Sequence, residues 1–212
     1  MRVELTSRSA IRGVAPHGVA KAVETYLDRA GLSRAPDPDL SVDPDDREAA
    51  SVVRIAHERG GWTTLTWPSY FAPRDVTACA SLSRELHTVV SAVTTTSDEG
   101  WSHTLFGCGT ELDRFHSYPS ALAWDDDVAA VTAEWSGDFE LVARVMGVDA
   151  CSVRRHFCQA TPSRRDHPGR EQDGYLGLWT ALGIRPTPDD EPAYAVLAVD
   201  ASWQSFAELT AR

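Results

Sequence analysis

The clearest structural signal in this chain is the run Val52-Val-Arg-Ile-Ala-His-Glu-Arg-Gly-Gly-Trp-Thr-Thr-Leu-Thr-Trp67. Two segments rich in β-branched and aromatic residues flank Gly60-Gly61, a dipeptide that tolerates the positive φ angles of a tight turn. The run therefore predicts an antiparallel hairpin. A two-residue turn gives three cross-strand pairs: Arg59 with Trp62, His57 with Thr64, and Ile55 with Thr66.

The segments on either side of this hairpin predict further strands and helices. A second hairpin is predicted at 101–106 and 110–116, because Gly107-Cys108-Gly109 between them is a turn sequence. The other predicted elements are an edge strand at 1–9, helices at 18–30 and 75–86, and a strand at 88–95. Together they give a β-β-α-β-β-β core, an antiparallel sheet with at least one helix on a face, and hence an α+β fold.

From residue 123 onward the pattern is mainly helical. Apolar spacing and capping residues predict helices at 126–135, 138–146, 150–160 and 171–182, then a short apolar run at 194–199 and a last helix from Asp200. We therefore divide the chain into a sheet-rich portion, residues 1–122, and a mainly helical portion, residues 123–212. The change near residue 122 is either a domain boundary or a change of layer within one continuous domain.

Length and composition limit the class of protein. A chain of 212 residues with 42% hydrophobic residues can bury a sizeable core. The first nine residues include charges where a signal peptide is apolar, and no window approaches 18 uninterrupted apolar residues. We therefore predict a cytoplasmic protein with no membrane partner. Nineteen arginines against one lysine are typical of a high-GC, bacterial genome.

The formal net charge of −11 argues against a protein that binds nucleic acid over its whole surface. A partner with a basic surface is the natural complement. The four cysteines include no CxxC pair, so we expect reduced thiols rather than a disulfide framework.

Residues 138–160 match the outline of a helix-turn-helix. The motif needs a small residue where the helices touch, a glycine at the turn and an apolar anchor in the second helix, which Ala143, Gly147 and Val153 provide. A DNA-binding regulator is therefore one alternative function. In that case the duplex contacts are expected from four arginines: Arg154, Arg155, Arg164 and Arg165.

Metal and catalytic motifs are missing from the sequence. Carboxylates between Asp37 and Glu48 have the spacing of a calcium loop, but Val42 stands where the loop requires glycine, which favours a solvated linker. The seven histidines show no HxH, HxxxH or HExxH spacing, so we predict no metal site and no cofactor. A second alternative remains a small-molecule enzyme with a site between sheet and helices, using His57, His103 or His116.

Seven tryptophans give the chain a high content of residues that anchor protein interfaces. Our leading hypothesis is a non-catalytic, acidic protein-binding module, of the immunity or antitoxin type, that inhibits a basic partner. Its expected aromatic anchors lie at the hairpin ends: Trp62, Tyr70, Phe71 and Trp101. The sequence gives neither the identity of the partner nor the oligomeric state.

Overall fold

The computed structural model describes residues 5–33, 52–68, 72–96, 100–123, 127–158, 170–188 and 191–199. The strands are β1 Leu5–Arg12, β2 Val52–Ile55, β3 Trp62–Trp67, β4 Val89–Thr96, β5 Gly100–Gly107, β6 Thr110–His116 and β7 Ala195–Ala198. The helices are α1 Pro16–Arg29, α2 Ala72–Glu85, α3 Val128–Glu134, α4 Phe139–Met146, α5 Ala150–Arg154 and α6 Arg170–Ala181, with a 3₁₀ turn at Pro119–Ala121. The predicted α+β fold with an antiparallel sheet is confirmed.

The strands form one sheet in the order β6-β5-β4-β1-β3-β2-β7, and each neighbouring pair is antiparallel. The prediction that the first strand lies at an edge was wrong, because β1 is paired on both sides, with β3 and β4. Its small polar side chains are buried but hydrogen-bonded. The Trp67 indole N–H donates to the Ser9 hydroxyl at 2.7 Å, and the Ser7 and Thr94 hydroxyls lie 3.4 Å apart.

The register of the first hairpin differs from the prediction by one residue. Arg59 does pair with Trp62, but Ile55 pairs with Leu65 rather than Thr66, and the Ala56 N–H donates to the Thr64 carbonyl. One extra residue on the β2 side between these pairs forms a bulge. The bulge places Ile55 and Leu65 together in the core, where 0% and 1% of their surfaces remain exposed.

Helices cover both faces of the sheet. Helices α1 and α2 pack on one face over a first core, which includes Val19, Ile11, Ile55, Leu65 and Leu82. Helices α4, α5 and α6 pack on the other face over a second core, which includes Ala10, Leu105, Val142, Val153 and Trp179. Strand β7 pairs with β2, so residues from both sequence portions build the same sheet.

The second hairpin turns as the sequence predicts. Cys108 and Gly109 both have positive φ, 51° and 84°, and Gly107 pairs with Thr110. Helix α5 ends at Arg154 and is therefore shorter than the predicted 150–160. Beyond the helix, the Phe157 ring packs 4.8 Å from the Phe115 ring. The predicted helix from Asp200 lies outside the described residues.

The buried hydrogen bond between Trp67 and Ser9 gives a first testable prediction. Replacing Ser9 with Ala leaves the buried indole N–H without its acceptor, which costs about 1–3 kcal/mol of unfolding free energy. Urea denaturation of Ser9→Ala, Trp67→Phe and the double variant measures the coupling between the two side chains.

Ser102→Ala is the matched control, since within the described part of the chain the half-buried Ser102 hydroxyl makes no hydrogen bond. We expect this variant to change stability by less than about 0.5 kcal/mol. Equal losses for the two serine variants would contradict the assignment.

Candidate functional site

A concave groove lies on the sheet face that also carries α4, α5 and α6. Helix α6 covers β4 and β5, and Arg12 at the far end of β1 donates a hydrogen bond to the Val145 carbonyl of α4. Beyond α6 the chain crosses the sheet through Pro186–Pro188 toward β7. The space enclosed by the three strands β1, β3 and β2, by α6 and by this crossing is called the sheet groove.

The sheet groove consists of two adjoining concavities of about 360 and 410 Å³. Both are lined by Thr6, Arg8 and Pro186–Pro188, so Arg8 lies where they join. The first concavity continues along Thr95, Tyr175 and Leu176. The second continues along residues of β2, β3, α6 and the segment before β7: Arg54, Ala56, Thr64, Leu65, Thr66, Trp179, Glu191 and Ala193.

The floor of the groove is a row of three side chains on three neighbouring strands. Thr66 of β3 pairs with Arg8 of β1 on one side and with Arg54 of β2 on the other. Directly paired residues project from the same face of a sheet, and their Cα atoms lie roughly 5 Å apart. The Cα atoms of the two arginines are therefore about 10 Å apart, close enough for both guanidinium groups to reach one bound group.

Hydroxyl groups surround this pair of arginines. Thr64 and Thr95 are 7% exposed, and the Thr64 hydroxyl lies 3.2 Å from the hydroxyl of Thr187. That contact ties the Pro186–Pro188 crossing to the sheet. The groove is therefore polar at its floor, while Tyr175 and Trp179 of α6 form an aromatic wall.

The charged side chains in the described lining of the groove are Arg8, Arg54 and Glu191. Glu191 lines it, but its carboxylate forms an ion pair with Arg59 of the β2–β3 hairpin. Within the described residues Arg54 makes no ion pair. Two guanidinium groups thus face the groove in a chain whose formal net charge is −11.

Trp62 and Trp101 do not form the exposed aromatic patch that the sequence predicted. Both are 5% exposed and belong to the second core. They face α4 and α6 because side chains alternate along a strand, and the Trp101 ring lies 5.1 Å from the Phe115 ring. The expected partners Tyr70 and Phe71 lie outside the described residues.

The predicted helix-turn-helix has the expected turn but a short second helix. Gly147 adopts φ 71° after α4, and Ala143 and Val153 are buried, as the motif requires. Helix α5 has five residues, or about 7.5 Å, which is too short to follow a major groove. Arg154 lies over the Phe139 ring and Arg155 donates to His156, while Arg164 and Arg165 lie outside the described residues.

The three histidines proposed for an enzyme site do not converge. His103 is fully buried, 3.0 Å from the Ser91 hydroxyl, which also accepts a hydrogen bond from the Trp179 indole. His116 is buried on β6, where its Nδ1 accepts the Tyr118 N–H, whereas His57 is exposed beside Tyr194. Ser91 and His103 have no exposed surface, so this pair has no contact with solvent.

Burial controls the ionisation of the two interior histidines. The pKa of His103 falls to about 4, and that of His116 also falls to about 4, because both rings lose water on folding. Burial has the opposite effect on the carboxyl of Asp113, whose pKa it raises. These groups lie in the second core and along β6, outside the lining of the sheet groove.

Two further observations concern only the described part of the chain. No group of three His, Cys, Asp or Glu there could hold a metal ion, and the carboxylates at 37–48 lie outside it. No described helix has the length and apolar character needed to cross a membrane.

Comparisons with protein families, curated proteins and solved structures found no match for this chain.

Sequence reasoning missed the groove, although one signal was present. Arg54 interrupts an apolar strand between Val53 and Ile55, and the alternation of a strand puts it on the opposite face from them. The other arginine of the groove, Arg8, could not be identified in the same way, because the sequence predicted that the first strand lies at an edge of the sheet.

The buried histidine gives a second testable prediction. Below pH 6.5 the unfolded chain takes up a proton at His103 that the folded chain does not bind until about pH 4. Stability from this residue is therefore complete above pH 6.5 and is lost as the pH falls toward 4, by up to about 3 kcal/mol. The difference in unfolding free energy between wild type and His103→Gln should narrow by that amount over this interval.

Urea denaturation from pH 8 to pH 4 measures this difference, in which the contributions of His116 and Asp113 cancel. His57→Gln, at an exposed position, is the control and should follow the wild-type curve. Parallel curves for wild type and His103→Gln would show that the buried ring does not control acid stability.

Proposed function

We propose that the sheet groove is a binding site and that this protein binds a small molecule there. The observation that supports this most strongly is the convergence of Arg8, Thr66 and Arg54 on one concavity, bounded by α6 and Pro186–Pro188. Small-molecule sites are typically concave, occupy about 300–1,000 Å³ and contain a few converging polar groups. The volumes of the two concavities fall within that range.

Three contacts hold the outer wall of the groove against the sheet. Thr187 contacts Thr64, Glu191 pairs with Arg59, and the Tyr194 N–H donates to the Ile55 carbonyl at 2.8 Å. These three contacts fasten the crossing segment to β2, to β3 and to the turn between them. A preformed site binds with less loss of conformational entropy than one that must be ordered by its ligand.

The proposal is limited to binding. Among the described lining residues there is no histidine or cysteine to act as a base or nucleophile. We therefore propose binding, without an assigned reaction, at this place between sheet and helices.

Filling the groove tests the proposal. Thr66 is half-buried on the floor, so a Thr66→Trp side chain would occupy the space between the two arginines. We expect ligand-observed NMR against a library of polar metabolites to detect binding to the wild type and to lose it in this variant. Thr110→Trp, at the exposed turn of the β5–β6 hairpin, is the matched control and should keep the binding.

The absence of any metabolite that distinguishes Thr66→Trp from Thr110→Trp would overturn the proposal. Amide spectra of both variants confirm that each is folded before the comparison is made.

A second candidate is the acidic protein-binding module, which the distribution of charge favours. Acidic side chains are concentrated in one stretch of the sequence, residues 37–48, which contains Asp37, Asp39, Asp43, Asp45, Asp46 and Glu48 against the single basic residue Arg47. This stretch has a formal charge of −5, out of −11 for the whole chain. A negative charge of that size attracts a basic partner over a distance and speeds its association, as an inhibitor of a basic enzyme requires.

This candidate predicts that the location of the charge matters more than its total. Replacing Asp37, Asp39, Asp43 and Asp45 with Asn should reduce capture of a basic partner from source cells, as quantified by mass spectrometry. The control replaces four exposed acidic side chains of the described residues by amides, at Glu24, Asp28, Glu58 and Glu140. Equal capture by the two variants, or an acidic partner, would contradict the hypothesis.

A further inference from the structure

We infer that the ligand of the sheet groove is a neutral ring with several hydroxyl groups, a monosaccharide or a cyclic polyol, which binds to the hydroxyls of Thr6, Thr66 and Thr95. This inference rests on the proposed function, because it names the ligand class for the same site. It places the ligand over the Thr6 end of β1, where the two concavities join.

The side chain of Thr95 is the most informative one in the lining. Thr95 is 7% exposed and lines the first concavity. Within the described residues its hydroxyl makes no hydrogen bond. A polar side chain that is more than nine-tenths buried is normally paired, because losing water without gaining a partner costs free energy. The groove in front of Thr95 is therefore the place where a ligand group completes this hydroxyl.

Two further hydroxyls lie close to Thr95. Thr6 of β1 pairs directly with Thr95 of β4, so their Cβ atoms are about 5 Å apart. Thr66 of β3 pairs with Arg8, two residues along β1, which puts Thr66 diagonally opposite Thr6 at roughly 7–8 Å. Both threonines are half-buried, and in the described part of the chain neither hydroxyl has a hydrogen-bond partner. The three hydroxyls thus cross three neighbouring strands, a span that one ring with hydroxyls around its edge bridges.

The chemistry of a threonine hydroxyl favours a ligand that also carries hydroxyl groups. A hydroxyl both donates and accepts, whereas a carboxylate only accepts and an ammonium group only donates. Thr64 and Thr187, whose hydroxyls lie 3.2 Å apart, show such a pairing inside the groove itself. A ligand with several hydroxyls therefore satisfies the three threonines more fully than a ligand with one charged group.

The charged side chains of the lining do not require a charged ligand. Glu191 is paired with Arg59, and Arg8 already takes part in an interaction of its own. Arg54 is exposed, so solvent and salt screen its charge. The ligand can therefore be neutral where it meets the threonines.

Apolar surfaces flank the three threonines. Leu176 of α6 is half-buried and lines the same concavity as Thr95, while Pro186 and Pro188 bound both concavities. A saturated ring with hydroxyls around its edge has apolar C–H faces, and these faces suit such walls. Apolar walls with a few converging polar groups are typical of small-molecule sites.

Matched ring compounds test the inference. Glucose, galactose, mannose and inositol are the neutral probes, cyclohexanol keeps a ring with a single hydroxyl, and glucuronate adds a carboxylate. We expect ligand-observed NMR with the full chain to detect saturable binding of at least one neutral probe at concentrations up to on the order of 10 mM. Cyclohexanol should show no saturable binding, and glucuronate should bind no more tightly than the neutral sugars.

Valine replacements connect the binding to the threonine hydroxyls. Thr95→Val removes the hydroxyl and keeps the β-branched shape, so affinity for the bound probe should fall by about tenfold. Thr104→Val is the matched control, because Thr104 is 5% exposed and its hydroxyl makes no hydrogen bond in the described residues. Thr104 pairs with Ala92 of the first core, on the face opposite the groove, so its replacement should leave affinity unchanged.

Stability separates a binding role of Thr95 from a structural one. Since its hydroxyl has no partner in the described part of the chain, Thr95→Val should unfold at a urea concentration no lower than the wild type does. A loss of stability together with affinity would show that this hydroxyl supports the fold, and would overturn the inference.

Other results would overturn the inference and leave the proposed function intact. One is that a metabolite binds in a manner sensitive to Thr66→Trp but insensitive to Thr95→Val. Others are that all four neutral probes fail to bind, or that glucuronate binds more tightly than they do, while some metabolite still distinguishes Thr66→Trp from Thr110→Trp. If no probe or metabolite distinguishes these two tryptophan variants, both the inference and the proposed function fail.

Discussion

The pairing of β1 on both of its edges is the constraint on which the other layers depend. Because β1 lies between β3 and β4, its alternating side chains must serve two covered faces rather than one. Ile11 and Ser9 face the first core, while Ala10 and Arg8 face the opposite side. A polar strand is tolerated in the centre because the buried Ser9 hydroxyl accepts the indole N–H of Trp67 and the Ser7 hydroxyl lies 3.4 Å from that of Thr94.

The groove follows from how the helices share the second face of the sheet. Helix α4 is tied to the end of β1 that holds Arg12, and α6 lies over β4 and β5. The chain must then travel from α6 to the far edge of the sheet, where β7 pairs with β2. This path leaves the Thr6–Arg8 end of β1 facing a space that is bounded by α6 and by Pro186–Pro188. Strand β1 is apolar at one end and polar at the other. It therefore contributes to the hydrophobic cores at its apolar end and to the groove at its polar end.

The interior histidine and serine show how a familiar pair of side chains differs from a reactive site. Ser91 and His103 lie at hydrogen-bonding distance, yet both have no exposed surface, and the Trp179 indole donates to the same hydroxyl. The pair connects β4, β5 and α6. Burial in this position lowers the pKa of His103 to about 4, so the ring is neutral near pH 7. The side chains that line the sheet groove are less reactive than a serine–histidine pair. The groove is open to solvent, however, and a ligand can reach it.

Local patterns in the sequence predicted most elements, because turns, caps and alternation act within a few residues. Gly60-Gly61 and Cys108-Gly109 form the expected turns, and Gly147 ends α4 as predicted. Arg54 was also visible as a polar residue on an otherwise apolar strand. Trp62 and Trp101 were assigned to the surface wrongly, because their burial depends on α4 and α6, which are distant in sequence.

What the amino-acid sequence determined alone is therefore the set of strands and helices, their turns and the formal charge. The tertiary structure decided the strand order, the bulge that sets the register of β2, and the meeting of Arg8 with Arg54 across Thr66. The strand order and the pairing of Arg8 with Thr66 join strands separated by more than forty residues in the chain, and the energies that select one pairing come from burial on both faces of the sheet. No local pattern contains that information, so the groove emerges only when the layers are assembled.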